Sequence, residues 1–161
     1  MQVPELESLG FALNINLYRK FTGAAHLAGR NTISTEVGAV PGGAYKLRIP
    51  ELKALFDGSY AAGVNTMVVH GYAYSGEYVN TTWPGYTPFQ YQFTEMWNPR
   101  QPAWRHLDDL FTYSARNSMI MRSGVPKIDL AFYYYENPFT RAQTYPDSDM
   151  NRYGELDEDC S

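Results

Sequence analysis

The sequence has little cysteine, little basic charge and no long apolar run. Its single cysteine, Cys160, cannot form an internal disulfide or a cysteine-based zinc site. No apolar run approaches the ~20 residues that a membrane-spanning helix needs. The formal charge of −4 and the pI near 5.3 offer no basic surface for phosphates. We therefore expect neither nucleic acid nor a membrane as a partner.

Motifs that bind common cofactors are missing as well. The sequence contains no GxGxxG, Walker, HExxH or CxxC pattern. The acidic residues between 147 and 159 are spaced irregularly and do not match an EF-hand loop. The chain also begins without the basic and apolar stretches of a signal peptide. The missing binding motifs and the absence of an EF-hand loop predict no metal site and no cofactor bound by this chain.

Aromatic residues, in contrast, are abundant, at 16% of the chain. Many of them fall in one long segment, residues 72–97, which reads as a loop. Aromatic faces pack against the C–H faces of sugars, and Tyr and Trp also donate hydrogen bonds. A long loop must bury some side chains to stay ordered, so we expect only about two or three to contact ligand. We assign Tyr74 and Trp97 to substrate binding.

Apolar periodicity predicts alternating helices and strands. The predicted helices are 13–28, ended by Gly29; Pro50 to Gly63; and one from Asn98-Pro99 or Gln101-Pro102 to Ser123-Gly124. The inner faces of the second and third helices are predicted as Leu52, Leu55, Phe56, Ser59 and Tyr60, and as Trp104, Leu107, Phe111, Ser114, Ala115 and Ile120. The predicted strands are 32–37, 64–70 and 127–134.

This order is typical of parallel βα units. Residues 64–70 are almost uniformly apolar, which predicts a strand buried on both faces. Long functional loops in (β/α) barrels follow the C-terminal ends of strands, as residues 71–98 do here. Because a whole barrel takes about 250 residues, the chain is either a small open α/β domain or a slice of a larger barrel. The long loop favours the slice, so we expect an α/β fold that is part of a TIM-like (β/α) barrel, its last two to three βα units. Residues 1–135 would be this barrel part, and 136–161 the start of a following domain or a disordered acidic tail.

Two polar residues stand at predicted strand ends. Glu36 lies near the end of the first strand, where barrel glycosidases place catalytic carboxylates. His70 ends the next strand, where an imidazole can hydrogen-bond a sugar hydroxyl or orient a carboxylate. Each residue also has a purely structural interpretation: Glu36 as a member of an ordinary ion pair, and His70 as a hydrogen-bonded core histidine. We predict Glu36 as catalytic and His70 as substrate-binding.

Longer segments carry a family resemblance. HLAGRNTISTEVGA, IPELKALFDGSYAAGVNTMVVHGYAYS, the PGY…FTEMW stretch and QPAWRHLDDLFTYSARNSMIMRSGVPKIDLAFYYYENP resemble glycoside hydrolase family 106, the α-L-rhamnosidase-like proteins, and in particular its secreted fungal branch. The resemblance covers residues 24–138. It implies a modified (β/α) barrel that removes terminal rhamnose with inversion through two glutamates.

Mapped onto this chain, the resemblance makes Glu36 the catalytic base and His70 a pocket residue. The family's other glutamate belongs to an earlier strand, which we expect to lie outside this chain. Calcium is possible in the full-length enzyme, although the resemblance identifies no ligands here. The loop after Glu36 and the missing second histidine after His70 depart from many bacterial members, which leaves the sugar preference open.

The function predicted from the sequence is thus hydrolysis of terminal α-L-rhamnosyl residues of plant-type glycans by a full-length enzyme, with the chain alone inactive. Two alternatives stay open: a hydrolase for another sugar such as a uronic acid, and a non-catalytic carbohydrate-binding module that uses the aromatic loop. We expect a secreted protein whose signal peptide is not in this chain, glycosylated at Asn80 in its Asn80-Thr81-Thr82 sequon.

Overall fold

The structure is a computed structural model that describes residues 2–7, 14–72, 93, 97–99 and 101–131. The chain divides into two compact units, Met1–Val125 and Pro126–Ser161. The first unit contains all the helices and strands described below. The predicted functional division after residue 135 stays a prediction.

In its described residues, the first unit has a three-stranded parallel sheet and three α-helices. The strands run in the order β1-β2-β3. The elements follow one another as β1 (Glu5–Glu7), α1 (Ile15–Leu27), β2 (Ser34–Val37), α2 (Ile49–Ala61), β3 (Thr66–Val69), a 3₁₀ turn (Pro102–His106) and α3 (Leu107–Arg122). Two successive βαβ crossovers therefore build the sheet, as the alternating pattern predicts.

Local sequence explains where α1 begins and ends, and this prediction is confirmed. The Asn14 side chain caps the helix by accepting a hydrogen bond from the Leu17 backbone N–H at 3.2 Å. At the other end Gly29 takes a left-handed φ of 66°, which suits glycine because it has no Cβ. The Gly29 N–H donates to the His26 carbonyl at 2.9 Å and closes the last turn.

Helix α2 is confirmed in the same way. Pro50 stands in its first turn, and the Glu51 carboxylate accepts hydrogen bonds from the backbone and side chain of Arg48. Gly63 follows the helix with a left-handed φ of 95°. The predicted inner face is buried at Leu52, Leu55, Phe56 and Ser59.

Helix α3 starts after Pro102, as predicted, but its buried stripe differs from the predicted one. Leu107, Leu110 and Ser118 are buried, whereas Ile120 is 70% exposed. Ile120 stands thirteen residues beyond Leu107, and at about 100° per residue this puts it roughly on the opposite face of the helix.

The last predicted strand, 127–134, is wrong where the structure describes it. Residues 127–131 form no strand, and 132–134 lie outside the described residues. Ile128 and Leu130 give the segment a strand-like composition. Composition alone does not make a strand, since a strand needs a hydrogen-bonded neighbour.

The two faces of the sheet differ sharply. Leu6, Val37, Met67 and Val69 point to one side and join the two apolar cores formed with the helices. We call the opposite side the open face; by strand alternation it carries Glu5, Glu7, Ser34, Glu36, Thr66 and Val68. No helix of the described chain covers the open face, and Val68 is 47% exposed. The prediction that β3 is buried on both faces is therefore wrong for the described part of the chain.

Candidate active site

Glu36 occupies the open face near the C-terminal end of β2. It is the third of four strand residues, and its side chain is 38% exposed. Its neighbours in the sheet are Glu7 on β1 and Val68 on β3. The strand thus presents the carboxylate at the sheet edge where parallel α/β folds place their chemistry.

His70 follows β3 directly and reaches the same carboxylate. Its Nδ1 lies 2.9 Å from Oε1 of Glu36, and its side chain is only 13% exposed. His70 stands two residues beyond Val68, so strand alternation turns it toward the open face as well. The structure therefore brings together the two residues that the sequence predicts at separate strand ends.

The backbone fixes His70 against the end of β2. Its N–H donates to the Val37 carbonyl at 2.8 Å, which extends the β2–β3 ladder by one residue. Gly38 follows at a φ of 96°, and a Cβ there would lie 3.2 Å from the His70 carbonyl oxygen and 3.3 Å from Cδ1 of Leu52. Glycine is needed at this position both for the left-handed backbone and for the close approach.

Phe93 packs against the imidazole ring of His70. Its ring meets the His70 imidazole edge to face, with 6.0 Å between centroids. An antiparallel bridge joins Phe93 to Pro41 in the loop after β2. Neither Phe93 nor Gly38 is singled out by the sequence, because Phe93 is one of many aromatic residues and Gly38 one of several loop glycines.

The hydrogen bond fixes the chemistry that the pair can perform. An ionised carboxylate only accepts hydrogen bonds, so Nδ1 of His70 must carry the proton. Among the described residues, Oε2 of Glu36 makes no hydrogen bond. The pair thus offers one carboxylate oxygen held in place and, on a side chain that is 38% exposed, a second oxygen that can accept a proton from water.

Trp97 lies in a different environment from this pair. It is 3% exposed and belongs to the core with Val37, Leu107 and Leu110. Its backbone N–H donates to the Gly71 carbonyl at 2.9 Å. The structure does not place Trp97 with Glu36, and its role in substrate binding stays a prediction.

A small cleft of about 160 Å³ opens beside Trp97. Tyr72 and Trp104 meet edge to face in its wall, with 6.1 Å between ring centroids. The lining is almost wholly apolar and consists of Val69, Gly71, Tyr72, Trp97, Trp104 and Phe111. Because Val69 points to the helix side of β3, this cleft lies away from the open face.

Two further predicted residues, Tyr74 and Asn80, lie outside the described residues. Their roles in substrate binding and glycosylation stay predictions. Within the described ranges, no three His, Cys, Asp or Glu side chains form a group that could hold a metal ion. The helices of those ranges include none with the length and apolarity to cross a membrane.

Comparison with known families identifies the chain. The profile of glycoside hydrolase family 106, described as alpha-L-rhamnosidase, matches residues 11–152. No curated protein and no solved structure matches. The matched range contains Glu36, His70 and all three α-helices. This chain therefore belongs to glycoside hydrolase family 106, the alpha-L-rhamnosidase family.

Proposed function

We propose that the chain forms part of an inverting exo-acting hydrolase that removes terminal α-L-rhamnosyl residues from plant-type glycans, with Glu36 as the general base. Family membership supports a rhamnosidase-like hydrolase and a carbohydrate substrate. The observation that carries the assignment is the Glu36–His70 pair at the C-terminal edge of the sheet, on the face that no described helix covers.

The architecture supports a part of a (β/α) barrel. In such a barrel the strands are parallel, the helices lie outside, and the catalytic residues project from the C-terminal ends of the strands. The sheet here is parallel, its described helices pack on one face, and Glu36 and His70 stand at strand ends on the other. We propose that the open face belongs to the barrel interior of the full-length enzyme.

The proposed reaction needs one carboxylate to activate water. Glu36 takes a proton from the water molecule while the water oxygen forms a bond to C1 of the rhamnosyl residue. The bond from C1 to the leaving oxygen breaks on the opposite face of the sugar, and a general acid protonates that oxygen. Inversion at C1 follows because the water attacks from the side opposite the leaving group.

Glu7 is the carboxylate nearest to Glu36 in the sheet register, but it is a poor match for the general acid. Adjacent strands lie only ~4.8 Å apart, and Glu7 pairs directly with Glu36. The two carboxyl groups of inverting enzymes are ~6.5–9.5 Å apart, which leaves room for the water. This spacing argues against Glu7 as the general acid. We propose that the acid belongs to an earlier strand of the full-length enzyme, as the family resemblance implies, and that this chain alone is inactive.

Secretion forms part of the proposal. The Asn80-Thr81-Thr82 sequon suits an extracellular protein, as does a polymeric plant substrate. Detection of a glycan on Asn80 in protein recovered from a eukaryotic culture medium would support this placement, and an unmodified Asn80 would count against it.

The experiment is Glu36→Gln in the full-length enzyme, assayed on an aryl α-L-rhamnoside. Glutamine keeps the shape but cannot take the proton, so kcat should fall by ~10²–10⁴ with the fold intact. Glu51→Gln is the matched control, because Glu51 belongs to α2 on the helix side of the sheet and its carboxylate is paired with Arg48. Retention of more than about a third of wild-type kcat by Glu36→Gln rules out the general-base role.

A further inference from the structure

We propose that His70 is a positioning residue: its Nδ1–H holds Oε1 of Glu36, so that Oε2 is the oxygen that takes the proton from water. This inference rests on the proposed general-base role of Glu36 and assigns His70 a task other than contact with the sugar. A base works only if its accepting atom lies within hydrogen-bond reach of the proton. A carboxylate free to rotate about its side-chain bonds meets that condition for a smaller share of the time.

The structure gives His70 the rigidity that this task needs. Its backbone is tied to Val37 by the 2.8 Å hydrogen bond, and the imidazole is largely buried. Phe93 packs edge-on against the ring. Glu36 is the more exposed partner, and its side chain has no other hydrogen bond among the described residues. The imidazole is therefore the fixed member of the pair and the carboxylate is the member that it orients.

The direction of the hydrogen bond agrees with this role. Nδ1 donates to the ionised carboxylate in both the neutral Nδ1–H tautomer and the imidazolium. The same nitrogen cannot also bind a sugar hydroxyl while it holds Oε1. Nδ1 is therefore committed to Glu36 in this geometry, whichever contact Nε2 makes.

Three substitutions of His70 in the full-length enzyme separate positioning from bulk. Asn carries its amide N–H₂ close to where histidine carries Nδ1, whereas Gln carries it closer to Nε2, and Ala carries no donor. We expect His70→Ala and His70→Gln to lower kcat by ~10–10² with little change in KM, because misplaced catalytic groups cost about this much. His70→Asn should recover most of the loss. A rise in KM with kcat unchanged in His70→Ala, or equal losses in the Asn and Gln variants, overturns the inference.

Azide gives a second readout that needs no base. This small anion attacks C1 without giving up a proton, so it should support turnover of Glu36→Gln. If His70 acts only through Glu36, adding His70→Ala to Glu36→Gln should leave that azide-supported rate unchanged, because the two losses are not additive. If His70 binds the sugar, the double variant should be slower in azide than Glu36→Gln alone, and the inference fails.

The outcomes also separate the inference from the proposed function. Wild-type kcat in Glu36→Gln refutes the proposed function itself. A large loss in Glu36→Gln, combined with a pure KM effect in His70→Ala, refutes only the positioning role. Circular dichroism and a thermal melt of each variant check the fold. Should His70→Ala fail to fold, the comparison of the Asn and Gln variants, which both fill the site, decides the question alone.

Discussion

Gly38→Ala should damage both the stability and the activity of the enzyme, because Gly38 sets the distance between the end of β2 and His70. The added Cβ would lie 3.2 Å from the His70 carbonyl oxygen and 3.3 Å from Cδ1 of Leu52. Leu52 is fully buried, and the His70 backbone is held by Val37, so neither neighbour can move freely. The backbone must therefore shift to relieve the contact.

The cost has two parts. A left-handed backbone with a Cβ costs ~1–2 kcal/mol, and Gly38 has a φ of 96°. Overpacking against buried neighbours adds ~1–3 kcal/mol. Together they reach roughly 2–5 kcal/mol, a large share of the ~5–15 kcal/mol by which a typical domain is stable. A shift of the His70 backbone also displaces its hold on Glu36, so kcat should fall by about tenfold or more, since a 1 Å misplacement can cost ~10².

Gly42→Ala is the matched control in the same loop. Gly42 also has a left-handed φ, 67°, but a Cβ there would meet nothing within 4 Å. It should therefore cost only the ~1–2 kcal/mol of the backbone term and leave kcat unchanged. Urea unfolding and kcat on an aryl rhamnoside, measured for both variants, make the comparison. Equal destabilisation by the two substitutions, or an unchanged kcat in Gly38→Ala, would refute the argument from the close approach.

Three further predictions concern the scaffold. In urea melts, Gly63→Ala should lower the unfolding free energy by ~1–3 kcal/mol more than Gly29→Ala does. Both glycines have a left-handed backbone, but only a Cβ at position 63 would meet a neighbour, Thr22 at 3.3 Å. Equal losses in the two variants would contradict this. Asn65→Leu should lower the unfolding free energy by roughly 2 kcal/mol or more in the same assay. It leaves the buried Ile33 N–H and the Asn31 carbonyl without the hydrogen bonds that the Asn65 side chain makes to them at 3.0 and 2.8 Å. A loss under about 0.5 kcal/mol would count against this prediction. The hydrogen bond that Tyr113 donates to Asp57 raises the pKa of the Tyr113 hydroxyl. The contribution of this bond to the free energy of unfolding is therefore complete below about pH 10, the pKa of an unperturbed tyrosine. It is lost as the pH rises through the raised pKa of the folded state. Thermal melts should show wild type losing more stability than Tyr113→Phe between about pH 9 and pH 11, and parallel curves would refute the link.

The sequence predicts the helices well because their signals are local. Gly29 and Gly63 end α1 and α2 through a left-handed backbone that depends on the residue itself. The inner face of α2 follows from the 3.6-residue period alone. Strand β1 carries no such signal: it has three residues, of which only Leu6 is buried, and it exists because β2 pairs with it. Its existence depends on tertiary contacts that a local pattern does not contain.

The candidate site shows the same division between local and long-range information. Glu36 and His70 can each be predicted at a strand end, but their 2.9 Å hydrogen bond depends on the register that pairs Glu36 with Val68. A slip of one residue would turn either side chain to the helix side of the sheet. The contact between His70 and Glu36 therefore emerges only from the fold.

The most direct test of Glu36 as the general base is the product that Glu36→Gln forms in azide. The account predicts that the full-length variant, nearly inactive in water, regains turnover in azide and converts an aryl α-L-rhamnoside into β-L-rhamnosyl azide, the inverted product. Proton NMR of the reaction mixture identifies the anomer, and Glu51→Gln under the same conditions should form free rhamnose only. Formation of α-L-rhamnosyl azide, or undiminished hydrolysis to rhamnose by Glu36→Gln, would contradict the account.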